Sequence, residues 1–102
     1  RIASGTGYGT RIDQIIMTWS GAAPLVCQIL VDDSGSAPIN VGSVTLPGAV
    51  AGVVGQVDVL TTLMPPNQQF IIVPNAGGIE LAIPSNITGT DLLGAWCSGG
   101  NF

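Results

Sequence analysis

The sequence predicts an all-β fold: a small antiparallel, jelly-roll-like β-sandwich of about seven or eight strands, with little or no helix. Short runs rich in Ile, Val, Thr and Trp alternate with turns that contain Gly and Pro. No window shows a sustained 3.6-residue hydrophobic period bounded by helix caps. The chain has 102 residues, which is enough for one hydrophobic core and leaves no room for a second.

Seven strands follow from these runs. We expect them at residues 10–20, 25–32, 39–46, 56–63, 69–73, 79–83 and 91–98. The fifth and sixth should form a hairpin around residues 74–78. Residues 1–9 contain Gly at positions 5, 7 and 9 and have no periodicity, so we expect an arm ahead of a single domain at residues 10–102. The arm lies either on a neighbouring subunit or on its own domain.

The first predicted strand drives the functional interpretation. Side chains alternate along a strand, so a half-exposed strand is apolar on one face only. Here both faces are apolar from Ile15 onward, through Met17 and Trp19 on one face and Ile16 on the other. This pattern indicates a strand covered on both sides, by its own domain and by a partner.

Charge is scarce in this chain. Charged residues make up 8% of the sequence, with two Arg, no Lys and no His, against about a quarter in typical domains. Such a surface is either hidden in an assembly or coated with neutral polar groups. The near-absence of basic residues argues strongly against direct nucleic-acid binding, which requires Lys and Arg to neutralise phosphates. No run approaches the roughly 20 apolar residues of a membrane span, so we expect no membrane partner.

No residue pattern indicates catalysis. Without His and Lys, the chain has no Ser-His-Asp or Cys-His system, no Schiff-base lysine and no P-loop. Two cysteines without histidine make no zinc site, and Asp32 and Asp33 belong to an expected turn at residues 32–36 instead of a calcium loop. Arg11 and Asp13 lie two apart on one strand face and predict a structural ion pair. We therefore predict a protein that is not an enzyme and has no catalytic residue, metal or cofactor.

Several residues allow two interpretations. Cys27 and Cys97 are predicted to be free thiols, although pairing them would close a long loop worth about 4 kcal/mol. Trp19 lies either in the core or at a subunit interface, and the same choice holds for Trp96, for which the core is favoured. Residues 49–55, small and apolar, are either a buried connection or a tight subunit contact.

The two ends of the chain carry a resemblance. The motifs are YGTRIDQI at residues 8–15 and GAWCSGGNF at residues 94–102, with LMPPN at 63–67 and NITGTD at 86–91 between them. Together they resemble a widespread group of short phage and prophage virion proteins, often encoded beside the major capsid protein. That group typically opens with an NGTRID-like strand, has an LPAG-like turn in mid-chain and closes on a Gly-Gly-Asp-Phe/Tyr-like tail. The chain departs from it at the Pro-Pro turn, at the Trp-Cys pair and at Asn101.

The resemblance implies a β-sandwich on the exterior of a tailed-phage capsid, made in the host cytoplasm, that decorates or cements the head by bridging major capsid protein subunits. It also implies a homotrimer. The residues expected at subunit or capsid contacts are Tyr8, Arg11, Trp19 and Phe102. One alternative is a receptor-binding or adaptor module of a tail, fibre or spike. Another is a piece of a larger capsid polypeptide, because the first residue is Arg instead of Met.

Overall fold

The computed structural model describes residues 2–33, 37–84, 87 and 89–101. The expected turn at residues 32–36 and the motif at 86–91 lie partly outside the described residues. Within them the chain forms eight strands and one short helix, which confirms the all-β class. The elements are β1 (Ala3–Ser4), β2 (Thr10–Trp19), β3 (Leu25–Asp32), β4 (Ile39–Leu46), β5 (Gly55–Asp58), α1 (Val59–Leu63), β6 (Ile71–Val73), β7 (Gly78–Ala82) and β8 (Leu93–Asn101).

The strands form two four-stranded antiparallel sheets. The first, here called the β3 sheet, has the order β1-β7-β3-β4. In the second, the β2 sheet, β2 pairs with β5 and β6 along one side and with β8 along the other. The inward side chains of both sheets and two residues of α1 form one core. Its members are Ile12, Ile15, Met17, Trp19, Cys27, Ile29, Val44, Leu46, Val59, Leu60, Ile71, Val73 and Ile79.

A β-bulge in β2 changes the predicted division of its two faces. Ile12 pairs with Gly99 and Gln14 with Ser98, so Asp13 is an extra residue without a partner in β8. Ile12 therefore points into the core together with Ile15, although strict alternation assigns these two residues to opposite faces. The prediction of two apolar faces concerned residues from Ile15 onward, and there the alternation holds: Met17 and Trp19 are buried with Ile15, and Ile16 lies on the outer face.

Residues 56–63 were expected to form one strand, and this prediction was wrong. Strand β5 ends at Asp58, and α1 begins at the next residue. The Asp58 carboxylate accepts a hydrogen bond from the Thr61 backbone N–H at 3.5 Å, which is N-cap geometry. The Thr62 hydroxyl donates to the Asp58 carbonyl at 2.8 Å. Val59 and Leu60 are both buried, and two consecutive inward residues fit a helical turn but not a strand.

The predicted hairpin between residues 69–73 and 79–83 was also wrong. Strand β6 pairs with β2, whereas β7 pairs with β1 and β3 in the other sheet. The intervening turn thus crosses between the two layers. A Cβ at Gly5 would lie 1.9 Å from the Pro74 carbonyl oxygen, so only glycine allows the arm to approach this turn.

The N-terminal arm packs on its own domain over its described part. Strand β1 pairs with β7, and the Ile2 backbone N–H donates to the Ile79 carbonyl at 2.8 Å. The Gly5 N–H donates to Gly77 at 2.9 Å, and Ala76 returns a bond to Gly5 at 3.2 Å. The alternative in which this arm lies on a neighbouring subunit is therefore wrong for these residues, since their backbone groups are already paired.

Candidate interaction surface

Trp19 lies in the core of the domain. Its side chain is 6% exposed, and its indole N–H donates to the Ala23 carbonyl at 2.7 Å. The following turn passes close to the ring, because a Cβ at Gly21 would lie 2.2 Å from the Trp19 Cζ2 atom. Of the two interpretations left open by the sequence, the structure supports the core. Trp19 therefore offers almost no surface to a partner.

Trp96 has the opposite environment. It lies in β8 opposite Ile16, on the outer face of the β2 sheet, and 58% of it is exposed. Its neighbours on the same face of β8 are Gly94 and Ser98, which are too small to cover an indole. An exposed tryptophan of this kind is typical of interfaces. The core location favoured for Trp96 by the sequence was wrong.

Arg11 lies on the same outer face, near the start of β2. Its Nε donates to the Asp13 carboxylate at 2.6 Å, and both side chains are half-exposed. Its guanidinium carbon lies 4.3 Å from the centre of the Phe70 ring, in cation–π geometry. The predicted ion pair is thus confirmed, and Arg11 already has two partners in its own domain.

Tyr8 and Phe102 complete the set of predicted contact residues. Tyr8 is 95% exposed in a turn closed by a hydrogen bond from the Gly9 N–H to the Thr6 carbonyl at 2.9 Å. Its ring is thus available for contact. Phe102 lies outside the described residues. The structure therefore leaves Tyr8 and Arg11 on the surface and removes Trp19 from it.

A second exposed apolar surface lies where β2 ends. Val50 and Val53 exchange two backbone hydrogen bonds of 3.0 and 2.9 Å around Ala51 and Gly52, both of which have positive φ. This is a two-residue hairpin turn of the I′ class. Val50, Val53 and the adjoining Val54 are exposed, so the interpretation of residues 49–55 as a buried connection was wrong.

Leu92 is held by the same turn after β2 as this hairpin. Its backbone exchanges hydrogen bonds with Ser20, at 3.0 Å through the carbonyl and at 2.7 Å through the N–H, while the Ala49 N–H donates to Gly21 at 2.7 Å. The turn after β2 thus holds both segments at one end of the molecule. Exposed Val50, Val53, Val54 and Leu92 are here called the apolar tip.

The apolar tip is almost free of charge. Residues 14–31 and 34–57 contain no charged residue, and Asp91 is the nearest acidic residue in sequence to Leu92. Contiguous exposed apolar surface on a small domain is typical of protein contact sites.

Neither cysteine is set up as a nucleophile. Both are free; Cys27 is buried and Cys97 is partly buried on β8. Burial raises the pKa of each thiol, which keeps it protonated and unreactive near neutral pH. Sequence reasoning favoured free thiols, and this is confirmed.

A metal-ligand cluster and a reactive cavity are the other two kinds of chemical site considered among the described residues. They contain no group of three or more residues suited to hold a metal ion. A surface cavity of about 140 Å³ on the β3 sheet is lined by Val26, Gln28, Ala82, Ile83 and Pro84. This lining offers no acid, base or nucleophile.

No known protein family, curated protein or solved structure matches the chain. The resemblance to phage virion proteins therefore stays a prediction. In the part of the chain that the structure describes, no helix has the length and apolar character needed to cross a membrane.

Sequence reasoning missed the apolar tip and the exposure of Trp96. The signal for the tip was present: Val50 and Val53 flank Ala51-Gly52, and a small residue followed by Gly between two β-formers fits a tight hairpin. For Trp96 the signal was the small size of Gly94 and Ser98, its neighbours at alternate positions on the same strand face.

Proposed function

We propose that this chain is a structural protein of a tailed-bacteriophage virion that decorates or cements the capsid exterior by bridging major capsid protein subunits. The observation that carries the proposal is the apolar tip on a charge-poor β domain. The resemblance of the two chain ends supports the same role. In this proposal the protein is made in the host cytoplasm and docks by inserting the tip between capsid subunits.

The energetics fit a cementing role. Fully burying one Val or Leu side chain contributes roughly 1.5–3 kcal/mol, and the tip presents Val50, Val53, Val54 and Leu92 together. Low charge limits the desolvation cost of docking. A bound decoration protein stabilises the assembled shell by mass action, because opening the shell exposes the buried contacts.

The first test is the copy number of the protein in purified virions, by quantitative mass spectrometry against the major capsid protein. A ratio of the same order as the capsid protein is expected. A few copies per particle would contradict decoration of the head lattice, and absence from virions would overturn the virion role.

A matched pair of variants tests the tip itself. Val54 in the tip and Val26 on the β3 sheet are each 46% exposed, so Val54→Asp and Val26→Asp introduce the same charge at equal exposure. We expect Val54→Asp to weaken binding to capsids that lack the protein, with Val26→Asp binding like the parent chain. Equal binding by both variants would contradict docking through the tip.

The exposure of Trp96 favours a second candidate, a receptor-binding module of a tail, fibre or spike. Exposed aromatic rings beside polar groups such as Thr18 and Ser98 suit the recognition of glycans or proteins. Saturable binding of the purified protein to host cells, lost in Trp96→Ala, would support this function over decoration.

The resemblance also implies self-association, which the cementing role itself does not require. The homotrimer that the resemblance implies would require a head-to-tail contact between two different surface patches, since a three-fold ring is built from heterologous interfaces. Sedimentation of the purified chain tests this directly. A mass of three chains would support the trimer.

A further inference from the structure

Strand β8 has one unpaired edge. It pairs with β2 over its whole length, from Leu93 opposite Trp19 to Asn101 opposite Thr10. Among the described residues no strand pairs with its other side. The backbone N–H and C=O groups that point away from β2 thus form a nine-residue template for another strand.

The other sheet edges are blunted. Strand β1 has two residues, β5 has four and β6 has three, which leaves little backbone to pair. Strand β4 is longer, but its register against β3 shifts at Ile29–Leu30, and Gly42 has a positive φ of 149° there. Short strands and bulges are the ordinary means by which proteins prevent edge pairing.

Strand β8 has none of these protections. Its sequence, LGAWCSGGN, contains no charged residue and no proline, and the bulge in this pair lies on β2. An edge that is long, uncharged and free of bulges favours pairing with another strand. The contrast with the blunted edges singles out β8 as an interaction surface.

A second copy of this chain fits the edge. The chain carries a net charge of −4, but all of its acidic residues lie outside β8, so two β8 strands meet without like-charge repulsion. An antiparallel pair of identical strands is related by a two-fold axis and uses the same surface on both copies. The two paired β8 strands therefore have equal length and the same uncharged composition.

Trp96 supplies the second reason for this occupant. A two-fold pair centred on Trp96 places the two indoles directly across from each other, about 4.5–5.5 Å apart at Cβ. A pair centred on Cys97 places Trp96 opposite Ser98 of the other copy and the indoles diagonally, roughly 7–8 Å apart, still within reach of aromatic rings. In both registers each indole, 58% exposed in the single chain, can pack against the other copy.

We propose that β8 pairs edge to edge with β8 of a second copy, joining two β2 sheets into one continuous sheet with the two Trp96 side chains in contact. This goes beyond the virion role and does not depend on it. A two-fold pair gives a dimer, so this proposal has a dimer in place of the trimer that the resemblance implies.

The test is the mass of the purified 102-residue chain by light scattering and sedimentation over a dilution series. We expect twice the chain mass of 10.3 kDa at high concentration and a reversible fall to one chain mass on dilution. Trp96→Lys places a charge beside the edge and should raise the dissociation constant at least about tenfold. A stable trimer, or a monomer at every concentration, would overturn the proposal.

The matched control is Ile72→Lys. Ile72 lies opposite Arg11 on the same outer face of the same sheet, and at 53% it is about as exposed as Trp96. Its strand β6 is not at the β8 edge, so the dissociation constant should not change. An equal loss of dimer in both variants would contradict the edge contact and indicate a general effect of charge on the face.

Hydrogen exchange tests the contact without any substitution. In the dimer, amides of residues 93–101 that point away from β2 should be protected, and this protection should be lost on dilution while that of β2 persists. Concentration-independent exchange in β8, in a sample that still dimerises, would place the dimer contact elsewhere and overturn the proposal. These outcomes do not depend on the copy number of the protein in virions. Failure of the edge-to-edge dimer can therefore be told apart from failure of the virion role.

Discussion

Trp19 and Trp96 lie on neighbouring strands of the same sheet and have opposite environments. Trp19 is on the central strand β2, points into the core and is 6% exposed. Trp96 is on the edge strand β8, points outward and is 58% exposed. The same residue type thus serves packing at one position and is available for contact at the other.

The difference shows how register and strand order decide what a side chain does. The bulge at Asp13 brings Ile12 to the same face as Ile15 and Trp19, so the large side chains of β2 converge on the core. Among the strands that the structure describes, β8 pairs with β2 alone, and on its face Trp96 lies between Gly94 and Ser98. Neither the bulge nor the edge position can be recognised from composition alone.

The largest expected effect is the loss of Trp19. Trp19→Ala should lower the free energy of unfolding by about 3–5 kcal/mol, because it leaves a cavity and an unpaired Ala23 carbonyl. Trp96→Ala should change it by no more than about 0.5–1 kcal/mol in dilute solution. Urea unfolding followed by circular dichroism measures both. Similar losses for the two variants would contradict the assignment of core and surface.

A smaller effect is expected where β8 meets the bulge. A Cβ at Gly99 would lie 1.8 Å from the Arg11 carbonyl oxygen, so Gly99→Ala forces the two strands apart and should cost about 1–3 kcal/mol. Gly100→Ala is the control, since a Cβ there has no heavy atom within 4 Å. Thermal unfolding should separate the pair, and equal melting temperatures would contradict the close approach of β8 to β2.

Much of the fold could be predicted because strand signals are local. The expected bounds of β3 and β4 match the observed ones, as both strands are β-rich runs between turn residues. The helix α1 was missed because Val59, Thr61 and Thr62 favour strands, and the cap at Asp58 with the packing of Leu60 outweighs that preference. Partner choice between strands is non-local, which is why the hairpin of β6 and β7 was wrong.

The candidate surface was predictable only in part. The ion pair of Arg11 and Asp13 follows from their spacing on one strand face, and it is observed. The location of Trp19 was left open, and that of Trp96 was wrong, because a strand with two apolar faces gives no indication of which face is covered. The tip was missed because Val residues near Gly indicate a buried segment as readily as an exposed hairpin.

Alkaline pH should lower the free energy of unfolding by a smaller amount, through one thiol in the core and one on the edge strand. Burial raises the pKa of Cys27 and of Cys97 above the ordinary value of 9.0, so the unfolded chain loses these protons at lower pH than the folded chain. Their contribution to stability is therefore complete below about pH 9 and is lost as the pH rises through the folded-state pKa values.

Urea unfolding at a series of alkaline pH values measures this loss. Cys97→Ala should flatten the decline in part, while the remainder persists through Cys27. In the folded chain a thiol reagent should modify the partly buried Cys97 before the buried Cys27. A decline that Cys97→Ala leaves unchanged would contradict a contribution from the edge thiol.

The smallest expected effect is that of Arg11, which shares the outer face with Trp96 but has partners in its own domain. Arg11→Ala should cost about 0.5–1 kcal/mol, the usual range for an exposed ion pair combined with a cation–π contact. Arg11→Lys, which keeps the charge, should recover part of this loss in thermal unfolding. Because the side chain is already engaged by Asp13 and Phe70, neither variant should shift the monomer–dimer equilibrium. A dimer as weak in Arg11→Ala as in Trp96→Lys would show that the contact spreads across the whole outer face instead of following the β8 edge.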